Sequence, residues 1–165
     1  FGVEMVEVEA DENVKAHVPA SEMPVLLAEL KSLSYTKEIS SDEILLTADT
    51  LVVLNDAVLG KPHSRQEAFD MLSLLSGRKH QVYTGVCLRT SKLVKLFTEV
   101  TDVYFKELSN NEINYYLDNY NYSDKAGSYG IQEWIGMIGV KRIEGDFYNV
   151  MGLPIARLYK EIMFL

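Results

Sequence analysis

From Ile44 to Leu54 the chain is almost continuously apolar, rich in Leu and Val, and interrupted by one acid, Asp49. A run of this length reads as a buried central strand and is too short to cross a membrane. Asn55-Asp56 supplies a turn into Ala57-Val58-Leu59. Around this strand, helix-like and strand-like patterns alternate. Val3 to Glu9 alternates apolar and acidic residues as a half-exposed strand does. Ser21 to about Tyr35 has helical spacing at Val25, Leu26, Ala28, Leu30 and Leu33, with Pro24 fitting only in a first turn. Ser64 with Glu67 reads as a capping box ahead of Ala68, Met71, Leu72 and Leu75, and Gly77 supplies the stop. His80 to Arg89 and Leu93 to Phe105 read as neighbouring antiparallel strands joined by Thr90-Ser91-Lys92. Ser109 with Glu112 repeats the capping box before Ile113, Tyr116, Leu117 and Tyr120. Asp146 to Met151 reads as a strand, and Gly152-Leu153-Pro154 opens a last helix through Met163, with Pro154 expected in its first turn. The pattern is that of an α/β domain.

The 165 residues are a one-domain length, and no repeat or low-complexity linker marks a second independent domain. A net charge of −8 argues against a nucleic-acid coat, which needs clustered Lys and Arg, but a few lysines can still dominate the field of a small-anion site. No long apolar span or secretory signal pattern is present, so no membrane partner is expected. The single Cys87, in an apolar strand, suits a reducing, cytoplasmic setting. The chain opens Phe1-Gly2-Val3-Glu4 without Met, and a segment upstream is expected.

The densest chemistry lies in Asp124-Lys125-Ala126-Gly127-Ser128-Tyr129-Gly130-Ile131-Gln132. Its glycines allow close backbone approach to a ligand, Lys125 can meet an anion, and Gln132 offers both donor and acceptor. The alternative is an Asp-led turn with a flexible linker. Asp49 places a carboxylate where an uncompensated charge is costly. Either it lies at an exposed strand end, or it floors a cleft as a metal ligand or general base. A regular pleat turns Thr50 to the other face, so a site lined by both requires the strand to end or bulge there. Lys61, between Gly60 and Pro62, returns toward the level of Asp49, although a lysine in that setting is commonly solvated. Lys31 lies on a helix whose polar positions can equally face water. Gly85, inside a strand, marks a bulge, a close ligand approach or a packing accommodation. Glu12, beside Asp11, is either a further metal ligand or part of a solvated loop. Trp134 with Tyr115, Tyr116, Tyr120 and Tyr122 offers a homodimer face or, in ordinary use, core and capping contacts.

Taken in order, Ala48-Asp49-Thr50-Leu51-Val52, Gly60-Lys61-Pro62, Leu75-Ser76-Gly77 with His80 and Thr84-Gly85-Val86, Asp124 through Gln132, and Val150-Met151-Gly152-Leu153-Pro154 resemble the Maf family of septum-formation-associated nucleotide pyrophosphatases. The resemblance runs from about Gly2 to the end of the chain. It implies a mixed, elongated central sheet flanked by helices, with two lobes and a cleft, in a single domain spanning 1–165. It also implies hydrolysis of a nucleoside triphosphate to the monophosphate and pyrophosphate with Mg²⁺ or Mn²⁺. On that resemblance Asp49 is the general base or a metal ligand, Lys61 and Lys31 neutralise the triphosphate, Thr50 and Gln132 bear on substrate choice, and Glu12 aligns with an acidic residue. The Gln-bearing string resembles the branch that prefers dTTP and UTP, whereas another branch prefers 7-methyl-GTP. A non-catalytic nucleotide-binding regulator of cell division is the reading from another class. Family members begin with a short strand and a Ser-x-Ser-Pro-Arg-Arg loop that contacts phosphates. That loop is expected upstream of Phe1, and a polypeptide truly starting there would lack it.

Overall fold

The computed structural model describes residues 2–7 and 18–165. Its elements run α1 (Met23–Ser34), β1 (Leu45–Leu54), β2 (Ala57–Leu59), α2 (Arg65–Leu75), β3 (Lys79–Arg89), β4 (Val94–Phe105), α3 (Asn110–Asn119), α4 (Trp134–Gly139), β5 (Val140–Glu144), α5 (Phe147–Met151) and α6 (Ile155–Met163), with a short 3-10 turn at Ala126–Ser128. The strands form one five-stranded sheet in the order β2-β1-β3-β4-β5. This is a mixed α/β fold built on a central sheet. No helix of the described residues is long and apolar enough to cross a membrane.

The chain divides into two compact units, one holding the described residues up to Asp49 with Gly85–Thr98, the other Thr50–Thr84 with Glu99–Leu165. In the first, α1 lies hard against β3. A Cβ added at Gly85 would stand 2.0 Å from the Val25 nitrogen and 2.2 Å from the Pro24 carbonyl carbon, so the strand glycine is a packing accommodation that only Gly satisfies. Pro24 occupies the first turn of α1, where no intrahelical N–H is needed. Leu27, Ala28, Val86, Leu88 and Phe97 are buried there, as is the free Cys87.

In the second unit the core gathers Val52 and Leu54 of β1, Ala68, Leu72 and Leu75 of α2, Val82, Val103 and Phe105 of the sheet, and Ile113, Tyr116 and Leu117 of α3. The Asn55-Asp56 turn has both residues at positive φ, 49° and 66°, which matches the twist of a two-residue hairpin from β1 into antiparallel β2. The α3 capping box is complete: Ser109 accepts from the Glu112 N–H and Glu112 accepts from the Ser109 N–H. At α2 the box is only half formed. Ser64 accepts from the Glu67 N–H at 3.1 Å, but the Glu67 carboxylate reaches one residue further back, to the His63 N–H at 2.7 Å.

Three sequence expectations change. Residues 3–7 carry no regular secondary structure, and the rest of the strand expected through Glu9 lies outside the described residues. The strand expected at Asp146–Met151 is helix α5. Asp146 caps it by accepting from the Tyr148 N–H at 2.8 Å, and Gly152 ends it in the left-handed region at φ 117°. Pro154 stands at the N-cap of α6 rather than inside its first turn. The short α4 and the charged edge strand β5, antiparallel to β4, were not anticipated. Of the aromatic group, Tyr116 is buried and stacks on Tyr120, and Tyr115 packs against Trp134.

Candidate active site

In the first unit, Lys31 and Asp49 meet. Lys31 Nζ is 2.5 Å from Asp49 Oδ1, with both side chains mostly buried. Two backbone anchors set the pair. Thr47, two residues before Asp49 and therefore on the same face of β1, donates from Oγ1 to the Ala28 carbonyl at 2.5 Å. Arg89 donates to the Tyr35 carbonyl at the C-terminal end of α1 at 2.7 Å. Lys31 also lies in the last turn of α1, where the helix dipole favours a cation.

The strand β1 runs unbroken through Asp49 and Thr50, so the alternation of the pleat separates their side chains. Thr50 belongs to the second unit and joins a polar relay there. Its Oγ1 lies 2.8 Å from Thr84 Oγ1 and 3.4 Å from the Gly152 carbonyl. Thr84 in turn donates to the Asn149 carbonyl at 3.1 Å. Asn149 is fully buried and donates to the Val82 carbonyl and to Thr101 Oγ1. The Val150-to-Pro154 motif is thereby tied to the strand residue that follows Asp49.

Also in the second unit, the segment from Asp124 to Gln132 is held at every turn. The Gly127 N–H donates to the Gly60 carbonyl at 3.0 Å, joining the glycine string to Gly60-Lys61-Pro62. Gly127 has φ 67°, and a Cβ there would press on Val52 at 3.0 Å. Tyr129 OH and His80 Nε2 lie 2.7 Å apart inside a Phe105-lined pocket. Burial drives the His80 pKa down to about 4, outweighing the opposite pull of Asp102. Lys61 is exposed. The Asp124 carboxyl is held below its usual range first by its hydrogen bond to Lys125 and, more weakly, by the positive charge of Lys61.

Lys125 does not present an open ammonium. Its Nζ donates to the Asn121 carbonyl at 2.6 Å and to Asp124 Oδ1 at 3.0 Å, and lies 3.4 Å from Glu133 Oε1. Burial alone would lower its pKa, but Asp124 and Glu133 overcome that and raise it. Gln132 is exposed, between Gly130 and Glu133. Glu133 and Tyr116 escaped the reading of the sequence as site residues. The available signal was a tyrosine, rather than phenylalanine, on the buried face of α3, since a buried hydroxyl requires a partner.

Among the described residues no three His, Cys, Asp or Glu side chains gather as a metal-ligand set. Glu12 lies outside the described residues. Asp49, paired with Lys31, brings one strand carboxylate, and Mg²⁺ is commonly held by one or two carboxylates with phosphate oxygens and water completing its shell.

The chain belongs to the Maf-like protein family, whose model matches residues 1–164. A Bacteroides thetaiotaomicron relative named dTTP/UTP pyrophosphatase is 51% identical over 154 residues, covering 93% of this chain and 80% of the relative. A Phocaeicola vulgatus protein of the same name is 52% identical over 87% of this chain and 74% of its own length. One from Porphyromonas gingivalis is 48% identical, covering 92% and 77%.

Proposed function

We propose that this protein hydrolyses dTTP and UTP to the monophosphate and pyrophosphate. The observation that carries this reading is identity near one half, across nine-tenths of the chain, to relatives named for that activity. The site residues support it chemically.

In this reading water attacks the α-phosphorus and Asp49 accepts its proton. The Lys31 ammonium favours the charged carboxylate that such a base requires. Lys31 and Lys61 offset negative charge on the triphosphate and on the departing pyrophosphate. Thr50, locked to Thr84 and Gly152, shapes the backbone beside Asp49. Gln132 reads the base: its amide pairs with a carbonyl and the adjacent N3–H of thymine or uracil, whereas cytosine has no N3–H to donate. Maf-family pyrophosphatases generally require a divalent metal. In the alternative role Asp49 would hold that ion instead of taking the proton, and the ion would supply charge neutralisation at the phosphates. A cytoplasmic setting fits the buried, unpaired Cys87 thiol.

The test is pyrophosphate release by the full-length protein from dTTP, UTP, CTP, dATP, GTP and 7-methyl-GTP, with Mg²⁺ or Mn²⁺. Turnover concentrated on dTTP and UTP is expected. Preference for 7-methyl-GTP overturns the branch, and nucleotide binding without release from any of the six overturns the enzyme.

A further inference from the structure

We infer that Tyr116, Glu133 and Lys125 form a positioning clamp that sets the aim of Gln132, and that Lys125 acts through this clamp rather than as a phosphate ligand. The inference rests on the proposed reading of Gln132 as the base-reading side chain. All of its members lie in one compact unit.

The centre of the clamp is the Tyr116 hydroxyl. Tyr116 is fully buried on α3, and its hydroxyl donates to Glu133 Oε2 while accepting the Gly130 N–H at 3.1 Å. One hydroxyl thereby grips the chain two residues before Gln132 and the side chain one residue after it. The other Glu133 oxygen faces Lys125 at 3.4 Å, and Lys125 reaches back to Asn121 and Asp124 at the start of the loop. An ammonium has three N–H donors, and three acceptors surround this one. A phosphate would have to displace carboxylates of its own charge to reach it. Burial and the Glu133 carboxylate both hold the Tyr116 proton in place, so the hydroxyl stays a donor across the working pH range. Gly130 leaves no slack: a Cβ there would stand 2.9 Å from Glu133 Cδ and 3.1 Å from Lys125 Cε. The Glu133 N–H closes the turn on the Gly130 carbonyl at 3.0 Å, with Gln132 inside it.

UTP and CTP carry the same triphosphate and differ in the base, which separates aiming from phosphate contact. A group touching phosphate changes both substrates alike. A group that aims Gln132 changes their ratio. Tyr116→Phe and Lys125→Met are expected to lower the UTP-to-CTP ratio of kcat/KM about tenfold, toward that of Gln132→Ala, chiefly through KM for UTP. Glu133→Gln retains volume and a hydrogen bond, so it is the variant least exposed to loss of fold, and about a threefold fall is expected. Ratios unchanged from the parent, with both substrates slowed together, overturn the clamp. Amide hydrogen exchange gives a readout independent of activity. The Gly130 amide is expected to lose at least about tenfold in protection in Tyr116→Phe while the Gly127 amide, bonded to Gly60, keeps its own. Unchanged Gly130 protection also overturns the clamp. If instead the parent does not distinguish UTP from CTP, or Gln132→Ala leaves the ratio intact, the base-reading role of Gln132 fails. Gly130 exchange then still decides whether the clamp exists.

Discussion

Lys31 and Lys125 both meet carboxylates, yet the two pairs are built in opposite ways. Lys31 joins the last turn of α1 to a strand residue 18 positions away, so the contact exists only once helix and strand have packed. The acceptors of Lys125 all lie between Asn121 and Glu133, within one loop and the start of α4. Glu133 has both oxygens engaged, one by Tyr116 and one by Lys125, so its contacts are spent within its own loop and on α3. Asp49, the reacting carboxylate of the proposed reading, is held on strand β1 against the last turn of α1. A lysine–carboxylate pair across elements places charge; one closed within a loop places backbone.

The largest expected effect separates the two carboxylates. Asp49→Asn preserves volume and removes the proton acceptor of the proposed reading, and on that reading kcat for UTP is expected to fall on the order of 10³-fold. Glu133→Gln, the matching change in the loop, is expected to leave kcat within about threefold because it touches no reacting atom. Steady-state pyrophosphate release measures both. Comparable losses in kcat would erase the distinction between placing charge and placing backbone.

Next come two glycines, one under the first turn of α1 and one under the Lys125–Glu133 pair. At Gly85 an added methyl meets Val25 and Pro24 main chain at about 2 Å, and α1 must move to admit it. At Gly130 the nearest atoms are the ends of the Glu133 and Lys125 side chains, at 2.9 and 3.1 Å. Gly85→Ala is therefore expected to cost about 3 kcal/mol or more and Gly130→Ala about 1 to 2 kcal/mol, read from urea midpoints at constant m. The reverse order would show that the loop, not the helix–strand contact, is the less yielding structure.

Acid acts on one side of the comparison through His80, which braces the glycine string at Tyr129. Its folded pKa of about 4 lies below the ordinary 6.5, so the unfolded chain takes up a proton first. The His80 contribution to stability is therefore intact above pH 6.5, falls as pH drops from 6.5 to 4, and levels off below that. At pH 5 the loss is about 2 kcal/mol. In His80→Gln the difference in stability between pH 7 and pH 5 is expected to shrink by that amount. An unchanged difference would show that His80 does not titrate with unfolding.

How much of this was legible in the sequence follows the range of each interaction. The α2 and α3 starts were readable because Ser64 and Ser109 act on N–H groups three residues ahead. Helix α5 was misread because Phe147-Tyr148-Asn149-Val150 has strand-favouring residues. Its real determinants are the Asp146 cap and the left-handed Gly152, with the five helical residues between them. Asp49 stood out as an acid in an apolar run, but its pairing with Lys31 depends on packing across 18 residues. Glu133 adjoined a motif that drew attention to Gln132. Its partner Tyr116 is 17 residues away, and nothing in local spacing joins the two.

The smallest effect is the sharpest, because it compares like with like. Lys31→Met and Lys125→Met remove the same charge and leave similar apolar volume. If Lys31 faces the triphosphate, its loss is expected to raise KM about tenfold for UTP and CTP alike, since the phosphates are common to both. Loss of Lys125 is expected to shift UTP and leave CTP nearly unchanged. The double variant should then show the two effects as independent, their free energies adding within about 0.5 kcal/mol. A coupling well above that would mean that the pairs act on one shared element, and the division between charge placement and backbone placement would have to be abandoned.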